Sequence, residues 1–160
     1  MIIRPAGSSD DDAIWSILEP TIRTAETYTL PQDMDREQAL AYWFSSGHRV
    51  FVAEEGGEVF GTYYLRANQK GGGGHVGNCG FMTAAKASGR GVATAMCSHS
   101  LEYARTLGFR AMQFNFVVSS NLAAIHLWQK FGFATIGRLP GAFLHPSLGY
   151  VDALVMYRTL

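Results

Sequence analysis

A chain of 160 residues, 48% hydrophobic and 16% charged, holds enough apolar material for one packed core without metal or disulfide support. Its 13 Lys and Arg balance 13 Asp and Glu, which excludes the basic excess that nucleic-acid binding usually needs, and no apolar run approaches the ~20 residues of a membrane span. Met-Ile-Ile-Arg-Pro carries no signal-peptide pattern, Cys79 and Cys97 form no CxxC, and the five histidines never fall at metal-ligand spacing, so the expectation is a single cytoplasmic domain over 1–160 with no metal.

Ile2 to Arg4 reads as a short strand ended by Pro5. Ser8 to Asp12 supplies caps and an acidic first turn for a helix carrying Ile14, Ile17, Leu18 and Ile22 and reaching Ala25, with Pro20 a candidate kink. Thr27 to Gln32 breaks the pattern. Asp33 or Asp35 then caps a second helix with Leu40, Trp43 and Phe44 on one face, closed by Gly47. Val50–Glu55 and Glu58–Arg66 flank Gly56-Gly57, a hairpin signal. The glycines of Asn68–Gly74 read as a hairpin loop, since no Gly-Lys-Ser/Thr follows.

Val76–Met82 is strand-like, and Val92–Leu107 is a helix with Val92, Met96, Ser100, Tyr103 and Leu107 in one stripe. Ala111–Val118 reads as a strand and Asn121–Phe131 as a helix capped by Gly132. Ala134–Leu139 and Asp152–Thr159 read as strands around a loop holding Gly141, Pro146 and Gly149. The order is β-α-α-β-β-β-α-β-α-β-β, an α/β chain with a mixed α+β sheet and helices on its faces.

Between the strand and the long helix stands Ser88-Gly89-Arg90-Gly91-Val92-Ala93-Thr94. A Gly-x-Gly turn feeding a helix leaves first-turn N–H groups unpaired at the positive end of the helix dipole, a ready phosphate site. A dinucleotide reading is disfavoured: the turn comes mid-chain, Thr94 replaces the third Gly, and Ala111–Val118 holds no acidic residue. The missing Lys-Ser/Thr removes nucleoside triphosphates.

Ser88-Gly89-Arg90-Gly91-Val92-Ala93 resembles the Gln/Arg-x-x-Gly-x-Gly/Ala motif of the GNAT superfamily of acyl-CoA-dependent N-acyltransferases. Asn121 to Phe133, a helix opened by Asn and closed by Gly-Phe, resembles a second signature of that family. The resemblance covers essentially the whole chain. It implies the GNAT fold with splayed fourth and fifth strands, acetyl-CoA as co-substrate, and CoA pyrophosphate on the N–H groups of Arg90 through Thr94. It also implies pantetheine beside the backbone of Phe81, Met82 and Thr83. The chain departs from the pattern at Ser88, where the family prefers Gln or Arg and where Arg90 or Lys86 could substitute. It departs again at Trp128, which stands where many relatives place a Tyr acid; an indole N–H is a very poor acid, so the task falls to solvent or a hydrogen bond from Asn121, or is left unfilled.

No carboxylate lies between Lys70 and Arg90, where relatives use a Glu to deprotonate the amine. Asn78 and Asn115 stand on the two central strands instead. Each could orient a water or bind a substrate group, or serve a strand edge structurally. His75–Phe81 with Asn115 and Asn121 is similar to the branch that acetylates proline analogues such as azetidine-2-carboxylate. Tyr28, Thr29, Tyr63, Tyr64 and Tyr150 are candidates for an acceptor pocket, His75 for a base, and His99 and His126 for packing or surface. Cys79 reads as a small buried hydrophobe rather than a nucleophile. The expected activity is acetyl transfer to a small amine, an amino acid or analogue included. Acetylation of a protein or peptide amine, or silent acyl-CoA sensing, are the alternatives. A homodimer is compatible with the family, with no interface marked in the sequence.

Overall fold

The computed structural model describes residues 1–160. The strands are β1 (Ile2–Pro5), β2 (Arg49–Glu55), β3 (Glu58–Ala67), β4 (Val76–Thr83), β5 (Ala111–Val118), β6 (Ala134–His145) and β7 (Gly149–Thr159). The helices are α1 (Asp11–Thr24), α2 (Arg36–Trp43), α3 (Val92–Thr106) and α4 (Leu122–Lys130). They build one seven-stranded sheet in the order β1-β2-β3-β4-β5-β7-β6. Every pairing is antiparallel except β4 with β5.

Two apolar layers clamp the sheet. On one face α1 and α2 pack Ile14, Leu18, Ile22 and Trp43 against Val52, Tyr64 and Met82. On the other, α3 and α4 pack Met96, Leu101, Ile125 and Trp128 against Tyr63, Phe114 and Met156. The alternation of β3 makes this possible, with Tyr63 and Leu65 feeding one layer and Tyr64 the other. Gly61 brings α3 close: a Cβ there would stand 2.7 Å from Val92 Cγ1 and 2.8 Å from Met96 Cε.

The local signals resolve as follows. Asp35 is the cap of α2, accepting from Gln38 N–H at 2.8 Å, while Gln38 Oε1 accepts from Asp35 N–H at 3.0 Å. α1 runs through Pro20 without dividing and ends at Ala25, which is left-handed at φ 52°. Phe44, expected on the buried face of α2, is the exposed residue just past its end. The expected loop between Leu139 and Asp152 is largely strand: β6 and β7 extend toward each other and leave only Pro146–Leu148 between them. Pro140 and Gly141 sit where the β6–β7 register shifts, on the sheet's outermost strand, where a lost ladder donor is tolerated.

Candidate active site

β4 and β5 pair only at Val76↔Ala111 and Gly77↔Met112, then separate. At the next position the Asn78 side chain bridges the gap, its Nδ2 donating to the Gln113 carbonyl at 2.8 Å. A side-chain amide there is longer than a direct backbone rung, so the strands diverge from this point. Asn78 is 6% exposed. Its Oδ1 takes no hydrogen bond from the chain and opens to the cavity described below.

The splay leaves an open edge on β4. Asn68 N–H donates to Val76 O at 2.8 Å and Ala84 N–H to Phe60 O at 2.9 Å, which fixes the phase of the β3–β4 ladder. Even-numbered residues of β4 turn their backbone to β3, and Cys79, Phe81 and Thr83 turn theirs to the splay. Phe81 and Thr83 therefore carry backbone groups open at the splay. The Met82 backbone belongs instead to the rung with Thr62, and its side chain is buried against α1. The Phe81 carbonyl accepts from the Tyr28 hydroxyl at 2.9 Å, which ties the loop after α1 to this edge.

At the end of that edge lies the turn into α3. Ser88 and Arg90 N–H groups close back on Ala85 O and Ala87 O, and the first α3 hydrogen bond runs from Ala95 N–H to Gly91 O at 2.9 Å. The N–H groups of Val92, Ala93 and Thr94 precede it and have no backbone acceptor. Gly89 and Gly91 both adopt φ 75°, and Gly91, the helix cap, offers no side chain to fill the site. The open β4 edge thus leads into the turn, with free N–H groups at Phe81 and Thr83 and again at Val92–Thr94. Arg90 and Lys86 turn to the β2–β3 hairpin instead, pairing with Glu55 and Glu58 and covering the Phe60 ring. These exposed pairs contribute little.

A cavity of ≈ 270 Å³ opens at the splay. Asn78, Asn115, Asn121, Phe81 and Trp128 all border it, as do Tyr28, Thr29 and Tyr64. Tyr63 and Tyr150 do not: Tyr63 lies in the other layer, its hydroxyl 2.6 Å from His99 Nδ1, and Tyr150 is 76% exposed on β7. His75 and His126 are also exposed, away from the cavity. Tyr64 lies flat over Gly80, where a Cβ would stand 2.5 Å from its ring, and stacks on His48 at 4.0 Å. Asn115 occupies the stretch where the β5–β7 register shifts, between Phe114 and Val117, a bulge that re-aims side chains. Its Oδ1 accepts from Gln113 Nε2 at 2.9 Å and its Nδ2 donates to Asn68 Oδ1 at 2.7 Å.

Burial sets the protonation of this site. It pushes the Tyr28 and Tyr64 hydroxyls well above the ordinary phenol range, with neighbouring tyrosines adding to the effect. It pushes the His48 imidazole down. The Cys79 thiol is driven up by burial and lies 3.7 Å from Met112 Sδ, so it stays protonated. No Asp or Glu lines the cavity. Trp128 packs on Phe81 at 5.1 Å and Phe114 at 4.8 Å, making one wall aromatic. Asn121 caps α4, its Oδ1 accepting from Ala124 N–H at 3.3 Å.

Tyr42 and Arg66 of the cavity wall went unmarked in the sequence. Tyr42 joins Tyr64, hydroxyl to hydroxyl, at 3.3 Å. Arg66 stands on β3 directly across from Asn78. Its signal was available in the alternation, two places beyond Tyr64 on the same face.

An open strand edge running into a helix N-terminus defines a receptor for an extended, phosphate-tethered chain. The acetyltransferase (GNAT) family model matches residues 13–133. A GCN5-related N-acetyltransferase from Kribbella flavida is 41% identical, with a TM-score of 0.95 over 99% of this chain and 97% of that one. N-acetyltransferase aca1 of Schizosaccharomyces pombe (strain 972 / ATCC 24843) is 25% identical over 151 residues, 84% of this chain and 72% of the relative. A phosphinothricin acetyltransferase from Sinorhizobium meliloti, solved in complex with AcCoA, shares the fold at TM-score 0.86 and 22% identity, over 99% of this chain and 88% of that one. The chain belongs to the acetyltransferase (GNAT) family.

Proposed function

We propose that this GNAT acetyltransferase, acting as one domain over residues 1–160, transfers an acetyl group from acetyl-CoA to a small-molecule amine. The observation that carries the reading is the continuity of three features. The unpaired N–H groups at Val92–Thr94 meet the open edge at Phe81 and Thr83, and that edge leads into a partly enclosed cavity at the splay. The first suits a pyrophosphate, the second an amide-bearing arm lying as an extra strand, and the third an acceptor of modest size.

Acetyl-CoA supplies the acyl group as a thioester, and the products are the acetylated amine and free thiol. Phe81 N–H points into the splay and is placed to donate to a carbonyl oxygen gaining negative charge. Asn78 Oδ1 accepts from the amine N–H and aims its lone pair, while Asn78 Nδ2 keeps the strands apart. Asn115, held at both ends of its amide, positions the cavity wall. With no carboxylate present and the tyrosines held protonated, the amine loses its proton to water. The Trp128 indole offers a hydrogen bond but no proton, so the thiolate is also protonated by solvent.

Among amines, acceptors of amino-acid size fit best, cyclic secondary amines of the proline-analogue type among them. Support comes from the strand asparagines and from the modest volume of the cavity. CoA release measured over free amino acids, polyamines, aminoglycosides and peptide amines tests the reading. Turnover confined to small amines is the expected result. Preference for peptide amines, or acetyl-CoA binding with no turnover on any amine, overturns it.

A further inference from the structure

Arg66 is the one charged side chain in the cavity wall, and nothing in the chain neutralises it. None of the eight ion pairs involves it. Its Nε is buried and has no hydrogen-bond partner. A half-buried guanidinium without a partner is costly, and its planar fork of donors matches a carboxylate bidentately. Its charge is felt locally: after burial, the positive field of Arg66 contributes to holding the His48 imidazole down.

The placement is specific. Arg66 and Asn78 face each other on one β3–β4 rung, so their Cβ atoms are about 5 Å apart. Asn78 in turn reaches Gln113 across the splay. Both side chains line one small cavity, so a compact acceptor can set a carboxylate on Arg66 and an amine at Asn78 Oδ1, while a long diamine brings a second cation against Arg66 and is repelled.

Resting on the small-amine reading above, we infer that Arg66 binds the carboxylate of the acceptor, and that the natural acceptors are amino acids bearing the amine next to that carboxylate. Arg66 also borders a shallow hollow on its far side, where Arg49 stands. An anion held there instead would depend on Arg49.

The test compares kcat/KM for free amino acids and for their carboxamides, at equal concentrations of unprotonated amine, in wild type, Arg66→Gln and Arg49→Gln. Acids are expected to outperform amides by at least about 10-fold, since hydrogen bonds between charged groups are the strong ones. Arg66→Gln is expected to remove that preference through KM and to leave the amides nearly unchanged, and Arg49→Gln to leave the preference intact. Amides used as well as acids, an equal loss on both series in Arg66→Gln, or a loss confined to Arg49→Gln overturns the inference while leaving acetyl transfer standing. If neither series turns over, the transfer reading falls, and titration of the ¹⁵N-labelled Arg66 Nε–H resonance with the same acids and amides decides for the carboxylate site. A shift with acids alone sustains it, and any other pattern overturns it.

Discussion

Asn78 Nδ2 donates to the Gln113 carbonyl at 2.8 Å, one residue beyond the last paired rung of β4 and β5. The same side chain ends the parallel ladder and presents a free oxygen where the ladder opens. Asn78→Ala removes the donor to Gln113 O and, in the proposed mechanism, the acceptor for the amine. Turnover is expected to fall at least ~10-fold, about 1.4 kcal/mol in barrier, with acetyl-CoA affinity nearly constant. Steady-state kinetics beside calorimetry check this, and unchanged turnover removes Asn78 from the chemistry.

Gly91 caps α3 at φ 75°, and a Cβ there would meet nothing within 4 Å. Gly91→Ala therefore adds only the strain of a left-handed non-glycine residue, about 1–2 kcal/mol. Thermal or urea unfolding measures it. A loss much above that would mean the turn holds contacts beyond its backbone.

Gly80 is a different glycine, conserving space rather than conformation. The Cβ of Gly80→Ala would stand 2.5 Å from Tyr64 Cε1. The ring must leave its stack on His48 and enter the cavity, at a stability cost of about 1–3 kcal/mol. Acceptor KM is expected to rise while acetyl-CoA affinity holds, readable in a KM against Kd comparison.

The pH dependence follows from the missing base. His48 and His99 are held below the ordinary imidazole value by burial, so both are neutral from pH 7 upward; Tyr28 and Tyr64 are raised and stay protonated through the same range. None of these four groups supplies a base that titrates above neutrality. The kcat/KM profile is expected to rise with pH at a slope of about 1 and to level at the acceptor amine's own pKa. Changing to an acceptor with a different amine pKa should move the inflection with it. An inflection fixed between about pH 6 and 8 would instead report an enzymic base.

Much of this was legible in the chain because local signals and tertiary packing agree. Gly56-Gly57, the Asp35 cap, the Gly91-to-α3 turn and the Asn121 cap all sit where turn and capping chemistry puts them. The β6–β7 extension was hidden because Pro140, Gly141 and Gly149 are loop residues by composition. On the outermost strand Pro140 forfeits no needed donor, and Gly141 N–H donates to Asp152 Oδ1 at 2.9 Å. That the Met82 backbone turns to β3 was not readable, since only the β3 partners decide which alternate residues face the splay. Arg66 was hidden for another reason. A strand-end arginine is ordinarily solvated, and only the closure of β3, β4 and the α1–α2 loop around it turns it into a cavity residue.

The most direct measurement is calorimetric titration of acetyl-CoA into the wild-type chain and into Gly91→Glu side by side. The wild type is expected to bind saturably in the micromolar range. The variant, with a carboxylate set against the pyrophosphate at the free N–H groups, is expected to bind at least ~100-fold more weakly, about 2.7 kcal/mol. No binding in the wild type, or equal affinity in a folded Gly91→Glu, contradicts the Val92–Thr94 cradle.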